Sequence, residues 1–86
     1  MAVDGFQAQP PLQIATVKKS SREEFRISLK DFSDGTTKAE VRIFERRRDG
    51  DWEPTPRHVV IGRDFIGGVA EGLLRARSLL EGEIAA

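Results

Sequence analysis

25-FRISLKDFSDGTTKAEVRIF-44 is the stretch that decides how this chain folds. Over 25–32, Phe25, Ile27 and Leu29 alternate with Arg26, Ser28, Lys30 and Phe32, a period of two that marks a strand with one apolar face. The run 33-SDGTT-37 then places Asp-Gly between two alternating segments, the usual hairpin chemistry, because glycine accepts positive φ. A third strand follows over about 38–47, with Val41, Ile43 and Glu45 on one face and Arg42, Phe44 and Arg46 on the other.

Working outward, 12-LQIATVKK-19 reads as a first strand with Leu12 and Ile14 facing one way, and 20-SSREE-24 as a polar turn. Downstream, 49-DGD-51 makes a second hairpin turn. Pro54 and Pro56 cannot donate to a sheet ladder, so 53-EPTP-56 is expected to be an irregular or edge approach to a fourth strand over 57-RHVVI-61. After Gly62 the period changes. Ile66, Val69, Ala70, Leu73 and Leu80 recur at helical spacing, Asp64 suits the positive end of the helix dipole, and the pattern predicts a helix over 63–80. Gly67, Gly68 and Gly72 each weaken that helix by roughly 1 kcal/mol relative to alanine. Leu74 and Leu79 fall off the main stripe, which suggests a helix packing on its own sheet and on a neighbouring helix as well. Gly82 is a plausible stop.

The order is four strands and one helix, an α+β pattern. Eighty-six residues suit one small domain and leave so little core that a second copy is expected to share it. Residues 1–11, with adjacent prolines, read as a mobile arm, 12–80 as the domain and 81–86 as a tail. The chain has no cysteine, which excludes disulfides and thiolate metal sites. No apolar run approaches the roughly 20 residues of a membrane span. MAVDGFQAQPPLQ lacks the basic flank and apolar segment of a secretory signal, so a cytoplasmic protein is expected.

The formal net charge is zero, but it is unevenly spread. Residues 12–48 carry ten Lys/Arg against six acids, and residues 49–86 carry four against seven. An acidic partner is therefore expected on the first half.

Signs of catalysis are few. His58 is the one histidine and has no cysteine to pair with, while Glu23, Glu24, Asp49 and Asp51 fall in turns where solvated charge is the ordinary reading. The run 62-GRDFIGG-68 lacks the lysine and the strand context of a phosphate-cradling loop, and no residues have metal-ligand spacing. We expect no enzyme, no metal and no cofactor.

The polar face of the second and third strands is more informative, since it interleaves Arg26, Lys30, Phe32, Arg42, Phe44 and Arg46. Long basic side chains are normal on the wet face of a half-buried sheet. Two aromatics among them also suit single-stranded nucleic acid, where cations track phosphates and rings stack on bases for roughly 1–3 kcal/mol each.

These residues resemble the positive cofactor 4 family of transcriptional coactivators, in its small bacterial form. The resemblance rests on Lys30-Asp31-Phe32 closing the second strand and on Arg42 with Phe44 in the third. Gly50 with Pro54 follows in the next hairpin, then Arg57 before the last strand and a helix, and together they span about 12–80. It implies a curved four-stranded antiparallel sheet followed by one helix, dimerising through that helix, with single-stranded or melted DNA bound by the strands of both subunits.

Carried over, Lys30, Phe32, Arg42 and Arg57 fall on the family's DNA-binding positions. With Phe44, Arg46, Arg26, Lys38, Lys18 and Trp52 they form the candidate site. Two departures stand out: His58 replaces a usual glycine, and Glu45 stands where a tryptophan is common, with Trp52 either substituting for it or packing on Pro54 and Pro56. The resemblance implies a homodimer working with the transcription or replication machinery, nucleoid-associated if bacterial. The alternatives are a protein-interaction module of the same fold and a single-stranded RNA binder.

Overall fold

The computed structural model describes residues 11–82, so the expected arm, apart from Pro11, and the last four residues of the tail lie outside the described residues. Four antiparallel strands form one sheet in sequence order: β1 (Leu12–Lys18), β2 (Glu23–Asp31), β3 (Thr37–Arg46) and β4 (Trp52–Ile61). The helix α1 (Arg63–Leu80) follows.

The predicted hairpin is present in full. Gly35 sits at φ 86° and its N–H donates to the Phe32 carbonyl at 2.9 Å, while the Asp34 carboxylate accepts from the Thr36 N–H at 2.9 Å. The second hairpin repeats the chemistry, with Gly50 at φ 94° and the Asp49 carboxylate accepting from the Asp51 N–H at 2.9 Å. Alternation then sets the register: Phe25 faces Ile43, Ile27 faces Val41 and Leu29 faces Ala39. On the other side of the sheet Arg26 faces Arg42 and Lys30 faces Lys38.

The outer strands depart from the sequence reading. In β1 the register shifts between Gln13 and Ala15, so Leu12, Ala15 and Val17 continue the apolar face and Ile14 is the extra residue of the irregularity. The fourth strand begins at Trp52 rather than 57, and so runs through both prolines. It can do so because β4 is an edge strand with a neighbour on one side alone, so few ladder bonds are lost to the prolines. Between the pairs Phe44–Pro54 and Arg42–His58, β3 places one residue and β4 places three. Thr55, buried between the prolines, supplies the missing donor: its hydroxyl donates to the Ile43 carbonyl at 2.7 Å.

The helix has the predicted bounds, with Asp64 in its first turn and Arg77 in its last, both favourable to the dipole. Its packing differs from expectation, because none of its residues is buried and it touches the sheet mainly at β3. Phe65 is 69% exposed and Leu73 is 67% exposed. Among the described residues Ala39 is the one buried apolar side chain. The molecule is flat, 59 × 39 × 18 Å, with a radius of gyration of 16.5 Å. A compact domain of this length would have about 12 Å. The helix is too far off the sheet to close a core. No helix among the described residues is long and apolar enough to cross a membrane.

Candidate nucleic-acid interface

The register builds two unlike faces. Leu12, Val17, Phe25, Ile27, Leu29, Val41, Ile43, Val59 and Ile61 line one. The other carries Lys18, Arg26, Lys30, Lys38, Arg42 and Arg46 against Glu24 and Glu40, with Phe44, Trp52 and His58 among them.

Each end of the polar face holds an aromatic–cation group. At the β2–β3 hairpin, Phe32 lies just past the strand, with the Lys38 ammonium 5.0 Å and the Lys30 ammonium 5.9 Å from its ring centre. At the opposite end the Arg26 guanidinium lies 4.0 Å over Phe44 and 6.0 Å from Trp52. Its Nε donates to the Glu24 carboxylate at 2.6 Å, which fixes the plane against the ring. Both a ring and a guanidinium plane are surfaces on which a base stacks. Trp52, half-buried and opposite Arg46, joins this group.

Between the ends lies a group that the sequence reading did not single out. Glu40 is 7% exposed and holds Arg42 through two bonds, Nη2 to Oε2 at 2.9 Å and Nε to Oε1 at 3.2 Å. Arg42 Nη1 donates to the Thr55 carbonyl at 2.6 Å, which the irregular stretch of β4 turns toward it. The Arg42 guanidinium, opposed by partial burial, holds the Glu40 carboxyl below the usual carboxylate range. Lys30 Nζ lies 3.9 Å from the same carboxylate. Alternation from Arg42 places residue 40 on this face, so its side is readable in the sequence, whereas its burial is not. A shallow cleft of about 250 Å³ runs over this row, lined by Pro11, Gln13, Arg26, Ser28, Glu40, Arg42 and Phe44.

Arg57 stands apart from the other candidates. The alternation from His58 turns it to the apolar face, where its guanidinium is bonded to Glu23. Glu23 also accepts from Lys19 Nζ at 2.8 Å, and the two cations, Lys19 first, lower its pKa to about 2. Glu45 lies on that same side, opposite Glu53 and Glu23, so it takes no charge from the cationic face. The His58 ring makes a hydrogen-bond contact between Nδ1 and the Pro56 carbonyl, at 3.0 Å.

Fold and face together define a small sheet-plus-helix module with one open cationic–aromatic surface and one open apolar surface. Two crystal structures of a PC4 homolog from Burkholderia pseudomallei share the architecture. The tetragonal form has a TM-score of 0.70 at 34% identity, covering 79% of this chain and 98% of that one. The orthorhombic form has a TM-score of 0.70 at 32% identity, covering 90% and 96%. The chain belongs to the PC4, or positive cofactor 4, family. No family model matches it and no curated protein matches it in sequence.

Proposed function

We propose that this protein binds single-stranded or melted DNA as a homodimer, without catalysis and largely without regard to sequence. It would act in transcription regulation or in replication and repair, beside the chromosome in the cytoplasm. The observation that carries the reading is the pair of aromatic–cation groups, Phe32 with Lys30 and Lys38, and Phe44 with Arg26, at the two ends of one open face. Duplex DNA hides its bases inside the stack, whereas a single strand presents phosphates to the cations and base planes to the rings.

The dimer is supported by the apolar surface left open. Phe65, Val69, Leu73 and Leu74 on α1, with Leu12, Val17 and Val59 on the sheet, are all at least 41% exposed. A notch of about 620 Å³ opens between the sheet and the start of α1, lined by Leu29, Ala39 and Ile66 among others. A second copy supplies the matching apolar stripe, and its burial would complete the core that one chain lacks.

The rival reading, a protein-interaction module with weak or no nucleic-acid binding, rests on the zero net charge and on Glu45. Glu45 lies on the far side of the sheet, so it adds no negative charge to the cationic face beyond that of Glu24 and Glu40. RNA offers the same phosphates and bases, so matched DNA and RNA oligonucleotides separate those ligands. The test of the face is Phe32→Ala with Phe44→Ala, chosen because removing Arg42 would strand the buried Glu40 carboxylate. Fluorescence anisotropy should show single-strand affinity falling by about 10²-fold or more with oligomeric state unchanged. Unchanged affinity would remove the face from consideration.

A further inference from the structure

Past the Phe44–Trp52 end, the β1–β2 loop and the β3–β4 hairpin meet, and their meeting point is lined almost wholly by arginine. A cavity of about 350 Å³ is bounded by Ser21, Arg22, Arg46, Arg47, Arg48 and Gly50. The two loops are tied at this point, since the Arg46 N–H donates to the Arg22 carbonyl at 2.8 Å. The tie places Arg22 beside Arg46 in the rung next to Glu23–Glu45. Gly50, at positive φ, closes the hairpin against the Arg46 side chain, whose Nη2 lies in ordinary van der Waals range, 3.9 Å, of where a Cβ would stand.

Arg47 is neutralised by Asp49 at 3.3 Å. Arg22, Arg46 and Arg48 have no carboxylate partner among the described residues, although the turn beside them carries both Asp49 and Asp51. Three guanidinium-bearing residues on the rim of one cavity, without a carboxylate partner among the described residues, raise the local positive potential, which a bound anion would relieve. Their planar forks match the oxygens of a phosphate better than a point charge does.

We propose that this arginine cup is a phosphate-binding site. Resting on the proposed single-strand binding, it takes a phosphate of the strand that leaves the sheet past Phe44 and Trp52. Two sources share that chemistry, a backbone phosphodiester and a terminal phosphate monoester. The cup extends the footprint beyond the stacking face and fixes where the strand exits.

The test is Arg22→Ala with Arg48→Ala in the full chain; both residues are exposed and both lie in the loops outside the strands that carry the stacking groups. Anisotropy is measured over salt with oligonucleotides of about 4 to about 16 nucleotides, with and without terminal phosphates. The expected result is unchanged affinity for the shortest unphosphorylated oligonucleotides. For longer ones, affinity should fall about tenfold at low salt and the salt slope should drop by about 1.4, two contacts at about 0.7 each. Loss on unphosphorylated strands identifies the backbone as occupant, and loss confined to phosphorylated ends identifies the monoester. Equal affinities and slopes at every length and end overturn the cup and leave the sheet reading standing. A loss of the same size at every length also overturns it, because a diffuse field would then be at work. Failure of the unaltered chain to bind any oligonucleotide overturns both readings.

Discussion

The two faces of this sheet come from the same alternation and are incomplete in different ways. The apolar face has its residues in register but almost nothing on top of them, since α1 leaves the sheet and buries no residue of its own. The polar face is already organised, because Arg26 is locked between Glu24 and Phe44, and Arg42 between Glu40 and Thr55. One face is therefore left without cover inside the chain, and the other is already ordered and open to solvent.

The largest expected effect breaks the apolar side. Leu73→Glu should lose about 2 kcal/mol of burial in each copy, weakening self-association roughly a thousandfold and lowering thermal stability with it. Light scattering and thermal melts at matched concentration check this; a mutant of unchanged oligomeric state would mean that the helix does not form the interface. Next, Phe44→Ala should cost about 1–3 kcal/mol of single-strand affinity and leave self-association intact, so the two faces respond independently. Anisotropy and light scattering on one sample decide it.

Glu40→Gln sharpens the polar side in the opposite direction. Without the carboxylate charge, Arg42 and Lys30 are freed for phosphate. Single-strand affinity should rise a few-fold and the salt slope should steepen by about 0.7. A slope unchanged from the unaltered chain would show that Arg42 serves only to hold β4.

The smallest effect concerns Glu23 on the apolar side. Lys19 and Arg57 depress its pKa to about 2, so its stabilising contribution is fully present above its ordinary value of 4.5 and is lost as pH falls toward 2. Carboxyl NMR titration should find Glu23 ionised at pH 3, and Arg57→Ala should move its titration upward. An ordinary titration near 4.5 in the unaltered chain would contradict the pair.

Most of this architecture was legible because alternation is a local signal. Phe25 to Phe44 specified a hairpin, a register and two faces, and the helix bounds followed from the change of period at Gly62. What escaped depended on contacts distant in sequence. Pro54 and Pro56 pointed to an irregular or edge stretch, and β4 is both, but that the strand already begins at Trp52 depends on Thr55 replacing the lost donor. Arg57 looked like one more cation for the binding face until the irregular stretch of β4 and the alternation from His58 put it beside Glu23. Glu40 was readable as a residue on the cationic face, but its grip on Arg42 is completed by the Thr55 carbonyl, thirteen residues from Arg42. The helix carried two apolar aspects in its sequence; that neither is covered within the chain is a property of how α1 leaves the sheet.

The central claim is that the cationic–aromatic face accepts a single strand and refuses a duplex. Its most direct test is anisotropy of one labelled oligonucleotide, alone and annealed to its complement, titrated with the unaltered protein at moderate salt. The account predicts tighter binding to the single strand, weakening steeply as salt rises; equal affinity for the two forms, or none for either, would contradict it.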